Sequence, residues 1–353
     1  MNWIVHYLIE ICINQNVWIL YIKRMKTKVV YVLTSSEDDL YLYQTMLSVF
    51  SLKRREPSVV VEIVVDKSTS NFITRKGNDY LNNVDNIIVV DVPKQYDKVQ
   101  SSRYLKTCLR EIIKGDFLFL DSDTIIADGI SEVDYFNDDI CMVLDVHTNL
   151  DFSEKRANKV LKVLQMSGLK EASNIPYYNS GVIYVKDTVL AHNFYKQWHD
   201  IWKESLMQCH IHQDQPSLAV ANTKMSYPVK ELNGIWNCQI MNSGLPFLHK
   251  AKIIHYFATV NQLKVSREAD KAYFFNDKKI YDEIKHKGII PNNLFEFIDN
   301  ARGAFITPCR IVAGNNLALY QNSLYITAMQ HPHTYKYLNN IARIINRLYG
   351  LWD

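Results

Sequence analysis

The run Phe117-Leu118-Phe119-Leu120 ends on Asp121-Ser122-Asp123, and no other stretch of the chain constrains its surroundings so narrowly. Four large apolar residues in succession make a strand that has to be buried. Side chains of an extended segment alternate faces, so Asp121 and Asp123 share one side while Ser122 turns to the other. Two carboxylates this close repel each other unless a cation or a hydrogen-bond network compensates them. A hard divalent cation carried in on a phosphate suits the pair, because such ions are held by one or two carboxylates together with substrate oxygens. An isolated Asp-x-Asp is ordinarily a turn feature. At the end of an apolar strand, where ligands of open α/β sheets gather, it reads as a binding claw.

The segments before the claw set the fold class. Val29–Leu33, Val59–Val65 and Ile87–Val90 are short β-branched or apolar runs with helical or loop connections between them, and Ile140–Val146 follows the claw. Such alternation predicts an α/β fold, a Rossmann-like mixed but mostly parallel sheet flanked by helices. After the first strand come Thr34, Ser35 and Ser36, then Glu37, Asp38 and Asp39, which the pattern places in the first turn of a helix. Thr34 and Ser35 thereby occupy the strand-to-helix turn where a base or ribose would sit, although capping alone accounts for them. No glycine-rich loop is present, which argues against a dinucleotide oxidoreductase or a P-loop enzyme. A helix is predicted over Ser101–Ile113; Arg103 and Lys106 share a face of it, near the claw, suited either to a donor phosphate or sugar or to solvent.

Beyond the claw, Asn179-Ser180-Gly181 makes a polar turn before the apolar Val182–Val185, and glycine there allows close approach of backbone to a ligand. A helix over 187–205 is followed by a second one opening His212-Gln213-Asp214-Gln215-Pro216. Pro216 fits a first helical turn. One Asp at a helix start is a cap; two flanking amides are less readily explained that way. Late in this region a short strand, Lys252–Tyr256, carries His255 near its end. Imidazole with carboxylates is a donor set that manganese accepts, though a lone histidine is more often a satisfied core residue.

Composition narrows the partners. A net charge of +3 on 353 residues gives no basis for nucleic-acid binding. The six cysteines lie apart without a Cys-x-x-Cys pair, which suits a reducing, cytoplasmic setting better than a disulfide framework or a zinc site. Residues 1–24 are apolar in patches broken by His6, Glu10 and Asn14-Gln15-Asn16, too interrupted for a spanning helix. They are expected to form an amphipathic helix or a leader that is not native, since Met25-Lys26-Thr27-Lys28 reads as a start just before the first strand.

Taken in order, these features resemble the family 8 glycosyltransferases of the GT-A fold over roughly residues 28–260. The resemblance rests on Arg103 and Lys106 before the central strand, Asp121-Ser122-Asp123, Asn179-Ser180-Gly181, Asp214-Gln215, Trp236-Asn237 and His255. It implies a nucleotide-sugar donor, UDP-linked, and a saccharide or lipid-linked saccharide acceptor, with Mn2+ or Mg2+ as cofactor. Asp121 and Asp123 would then bind metal and ribose, and His255 would complete the metal site. Arg103, Asn179, Asp214 and Gln215 would surround the donor sugar, with Asn179, Asp214 and Gln215 as the catalytic group. Thr34, Ser35, Lys106 and Ser122 complete the expected donor site. Transfer with retention of configuration is implied as well. One departure stands out: Ala258 and Asn261 occupy places where the family has a glycine and a lysine on the diphosphate, with Lys264 as a substitute.

Two other classes compete for the central motif. Haloacid-dehalogenase-like phosphatases also end an apolar strand in Asp-x-Asp and use magnesium, but their motif stands near the start of the domain and is followed by Thr or Val where this chain has Ile125. A nucleotide-sugar-binding scaffold without activity is the third reading. The expected organisation is a leader over 1–25, a catalytic domain over 26–265 and a mainly helical extension over 266–353. In that extension Tyr337, Leu338, Ile341, Ile344, Ile345 and Leu348 recur at helical spacing among Lys336, Arg343 and Arg347. Such a basic amphipathic helix either docks on the main domain or lies peripherally on the inner face of a membrane.

Overall fold

A computed structural model describes residues 9–12, 17–20, 25–77, 81–169, 174–240, 242–256 and 278–303, and 331–341 apart from 332, 335 and 339. Strands β1 (Ile9–Cys12) and β2 (Val17–Leu20) pair with each other antiparallel. Where the sequence admits an amphipathic helix, extended pairing is found instead, as the clustering of Val17, Trp18 and Ile19 favours. Then follow β3 (Lys28–Leu33), α1 (Tyr41–Arg55), β4 (Val61–Asp66), α2 (Lys67–Lys76) and β5 (Asn86–Val90). Next are α3 (Lys98–Thr107), α4 (Leu109–Ile112), β6 (Phe117–Leu120), β7 (Thr124–Ile126) and β8 (Ile140–Leu144). The second half holds β9 (Leu150–Asp151), α5 (Asn158–Met166), β10 (Asn174–Ile175), β11 (Tyr178–Val185), α6 (Val189–Cys209) and α7 (Asp214–Lys224). Short strands β12 (Lys230–Glu231), β13 (Cys238–Gln239) and β14 (Ile253–His255) precede α8 (Lys278–Lys287) and α9 (Phe295–Asp299).

Seven strands form the main sheet in the order β12-β8-β11-β6-β3-β4-β5. All neighbours are parallel except β11, which runs antiparallel to both β6 and β8. The mixed, mostly parallel sheet expected from the alternating pattern is therefore what the chain forms. Alternation along its strands divides the core in two. Val29, Tyr31, Leu33, Leu118 and Leu120 face one apolar cluster with Leu42, Leu47 and Leu52 of α1. On the other side Val30, Val32, Phe117 and Phe119 meet Leu105 of α3, Trp198 of α6 and Leu218 of α7. With helices on both faces the central strands have no solvent side, which is why they read as unbroken apolar runs. Fully burying each such side chain contributes about 1.5–3 kcal/mol.

A second, three-stranded sheet of order β13-β14-β7 begins where the first stops. The run Phe117–Ile126 is thus two strands belonging to different sheets, broken at Asp121–Asp123. The claw is a turn between sheets rather than the tip of one extended strand.

Two further details differ from the sequence reading. The helix after β3 starts only at Tyr41, because Asp39 folds back to accept from Ser35 Oγ (2.6 Å) and the Ser36 amide (2.9 Å). That local turn competes successfully with helix. The helix over the basic residues starts early, at Lys98, capped reciprocally by Asp97 and Gln100, and is interrupted at Cys108. In the C-terminal region, Ile284, Leu294 and Ile298 join the first apolar cluster, and Phe295 packs 4.9 Å from Phe50 of α1. Of the last amphipathic segment, Tyr337, Leu338 and Ile341 are exposed; Ile344, Ile345 and Leu348 lie outside the described residues, as do Ala258, Asn261 and Lys264. Among the described residues no helix is long and apolar enough to cross a membrane.

Candidate functional site

A cavity of about 560 Å³ opens over the carboxyl ends of β3 and β6. Strand direction explains what gathers there. Because β11 is antiparallel to β6, its first residues lie beside the end of β6, and the Asp121 amide donates to the Gly181 carbonyl at 2.8 Å. Pairing of β11 with β8 is irregular between Tyr178 and Ile183, which frees Asn179, Ser180 and Gly181 from regular ladder bonds. In the small sheet β14 is antiparallel to β7 with His255 opposite Thr124, so the imidazole arrives next to Asp123.

Asp121, Asp123 and His255 each offer one ligand atom, and the three atoms lie within 4.8 Å of one another. The imidazole Nε2 is 3.1 Å from Asp123 Oδ1. Two carboxylates and one imidazole make a hard-to-borderline donor set that fits Mn2+ or Mg2+, with manganese better matched to the nitrogen. Burial by itself would raise the Asp123 carboxyl. The adjacent His255, by its charge and its hydrogen bond, and Lys106 outweigh burial and hold Asp123 below the ordinary carboxylate range.

Beside the triad sits a buried ionic knot. Lys106 is 1 % exposed, and its Nζ lies 3.2 Å from Asp121 Oδ1, 3.1 Å from Ser180 Oγ and 3.4 Å from Asp214 Oδ2. Its ammonium also stands 4.8 Å from the centre of the Phe119 ring. Asp214 opens α7, and its Oδ2 accepts from Ser180 Oγ at 2.6 Å while Oδ1 is 3.2 Å from Arg103 Nε. Burial disfavours an ionised Asp214, yet Lys106, Arg103 and the Ser180 hydroxyl together keep it well below the usual carboxylate range. Arg103, on the same face of α3 as Lys106, is in turn pushed up chiefly by Asp214. The face of α3 that the sequence left open between ligand and solvent is therefore turned inward.

Most of the expected site residues line this one cavity: Thr34, Arg103, Lys106, Asp121, Ser122, Asp123, Asn179, Asp214, Gln215 and His255. Ser122 spends its hydroxyl on Thr45 Oγ1, 2.8 Å away. Ser35 does not line the cavity: its hydroxyl is committed to Asp39 and to the Leu42 amide. The corner assigned to Ser35 is formed instead by Asp38, Asp39, Tyr41, Gln44 and Lys98, with Lys98 Nζ 2.8 Å from Asp39 Oδ2. These residues escaped the sequence reading because Asp38 and Asp39 were absorbed into helix capping. Asn237, which the resemblance included without assigning it a role, joins Asn179 and His255 by hydrogen bonds and is wholly buried.

No protein-family model matches the chain, and no curated protein matches it in sequence. Among solved structures, the apo form of mouse xyloside xylosyltransferase 1 superposes with a TM-score of 0.43 at 14% identity, over 65% of this chain and 97% of that one. The galactosyltransferase LgtC, in complex with donor and acceptor sugar analogues, gives 0.46 at 16% identity, over 76% and 99%. The glycosyltransferase GlyE of Streptococcus pneumoniae gives 0.44 at 15% identity, over 75% and 66%. Likeness at this level leaves function to be argued from the chain's own residues.

Proposed function

We propose that this chain is a divalent-cation-dependent glycosyltransferase, moving a hexose from a UDP-sugar to a saccharide or lipid-linked saccharide with retention of configuration. The observation that carries the reading is the convergence of Asp121 and Asp123, from one turn, and His255, from a distant strand, within one cavity large enough for a ligand of this class. A bound Mn2+ or Mg2+ would supply Lewis acidity toward the diphosphate leaving group.

The chain's own residues do the rest. Departure of the nucleoside diphosphate leaves the sugar oxocarbenium-like, so a fixed negative charge near the sugar is stabilising. Asp214 suits that role: it stays ionised, and Ser180, Lys106 and Arg103 hold both of its oxygens. Gln215 and Asn179 flank it as donor-sugar contacts. Thr34, Asp39 and Tyr41 offer polar groups and an aromatic face at the far end of the cavity, where a uridine fits.

Titration calorimetry with UDP, with and without Mn2+, tests the reading. Wild-type protein should bind UDP in a Mn2+-dependent manner, Asp123→Ala should lose the dependence, and slow UDP-sugar hydrolysis should follow in a donor screen. Absence of nucleotide binding, with Mg2+-dependent hydrolysis of a simple phosphate ester instead, would replace this reading by a phosphatase.

A further inference from the structure

We propose that Asn237 is a positioning residue that keeps a hydrogen on Nδ1 of His255, so that Nε2 is the ring atom turned to Asp123 and offered to a cation. The inference rests on the cation site proposed above. The buried hydrogen-bond relay that carries it exists independently of any ion.

The relay begins at a group whose role cannot be reversed. The Gly181 backbone N–H only donates, and it lies 2.9 Å from Asn179 Oδ1. At its other end the Asn179 amide meets Asp145 Oδ1 at 3.0 Å, a carboxylate that accepts, so the Asn179 nitrogen faces that way. Asn179 is thus oriented twice over, oxygen toward Gly181 and nitrogen toward Asp145. The Asn237 atom 2.9 Å from Asn179 Oδ1 must then be its Nδ2 donor. The same amide consequently turns its oxygen to His255 Nδ1, 3.1 Å away, and an oxygen at that position requires Nδ1 to carry hydrogen. Asn237 is 0 % exposed, and Asn179 and His255 are each 3 % exposed, so bulk water does not compete for these groups.

Gly181 contributes a second time. A methyl group in place of its hydrogen would stand 2.3 Å from His255 Cε1 and 2.8 Å from Nδ1. The ring therefore packs directly on the glycine backbone, and its plane is fixed by the same residue that orients the relay. Partners behind a metal-binding histidine commonly fix its tautomer and ring orientation in this way. Asn179 has accordingly a positioning part besides any contact with sugar, since its oxygen is shared between Gly181 and Asn237.

The test uses the full chain labelled with 15N-histidine and free of metal, with the His255 signals assigned by their loss in His255→Gln. Long-range proton–nitrogen correlation should show Nδ1 of His255 protonated in the wild type. Asn237→Leu removes the acceptor oxygen, and Nδ1 should give up its hydrogen while Nε2, beside Asp123, carries one. Asn237→Asp gives up the donation to Asn179 but keeps an acceptor oxygen toward the ring, and should retain the hydrogen on Nδ1. Mn2+ affinity, followed by electron paramagnetic resonance of the free ion, should fall about 10–100-fold in the leucine variant and much less in the aspartate variant. A wild-type spectrum with Nδ1 bare overturns the proposal even if the leucine variant fails to fold. So does an aspartate variant whose Nδ1 loses its hydrogen. If the wild type binds no Mn2+, the cation reading fails, and the nitrogen spectrum still decides the tautomer.

Discussion

Replacing Lys106 by methionine keeps most of the stem packed against Phe119 and deletes the ammonium that Asp121, Ser180 and Asp214 share. Removing one partner of a buried ion pair costs about 3–5 kcal/mol, because the other charge is left uncompensated. Asp214 retains Arg103 and Ser180, so the lower part of that range is the expected loss. At about 2 °C or more per kcal/mol for a domain of this size, the unfolding midpoint should fall by at least about 6 °C at pH 7. The loss should depend on pH with a definite sign. Burial opposes ionisation of Asp214, while Lys106 is the foremost group holding its carboxyl below the ordinary range in the folded protein. A depressed folded value means that this stabilisation is present above the unfolded carboxyl value near 3.9 and is lost as pH falls through the folded one. In Lys106→Met burial has less opposition, and Asp214 takes up a proton at higher pH than in the wild type. The gap between the two proteins should therefore be widest at neutral pH and narrow on acidification, as the variant protonates first. Thermal unfolding of both proteins at pH 7, 5 and 4, followed by tryptophan fluorescence, measures it. Asp214→Asn in the Lys106→Met background should recover part of the loss, as expected of coupled neighbours. A loss below about 1 kcal/mol, or one that grows on acidification, would refute the assignment of Lys106 as the buried counter-charge.

Gly181→Ala should push the His255 ring off its seat, with a stability loss of about 1–3 kcal/mol for overpacking and weaker Mn2+ binding measured by calorimetry; unchanged binding would mean that the neighbours yield. Tyr41→Ala removes the aromatic face beside Asp39, and UDP affinity should drop by an amount typical of one stacked base, about 1–3 kcal/mol. Inorganic diphosphate should still bind that variant, so equal losses for both ligands would show that Tyr41 does not meet the base.

The central strands, the position of the carboxylate claw and the start of α7 could be read from the chain because each depends on local necessity. A strand covered on both faces has to be apolar at every position, and Phe117–Leu120 could hardly be anything else. Pro216 and Asp214 mark a helix start through backbone chemistry confined to one turn. Elsewhere local signals competed, and sequence gave no way to rank them: Asp39 looked like a residue of the first helical turn, but its hydrogen bonds to Ser35 and Ser36 hold it outside the helix. Which faces meet was decided in three dimensions. Periodicity shows that Arg103 and Lys106 share a side of α3, not that this side looks inward at Asp214 and Asp121. The knot exists because β11 enters antiparallel beside β6 and brings Ser180 and Gly181 to the claw, while α7 delivers Asp214 from further along the chain. The same holds for Asn237, whose meaning lies in an amide orientation passed from Gly181 to His255. Side-chain chemistry is written along the sequence, but its partners, and with them the protonation and direction of each group, are set by long-range strand pairing.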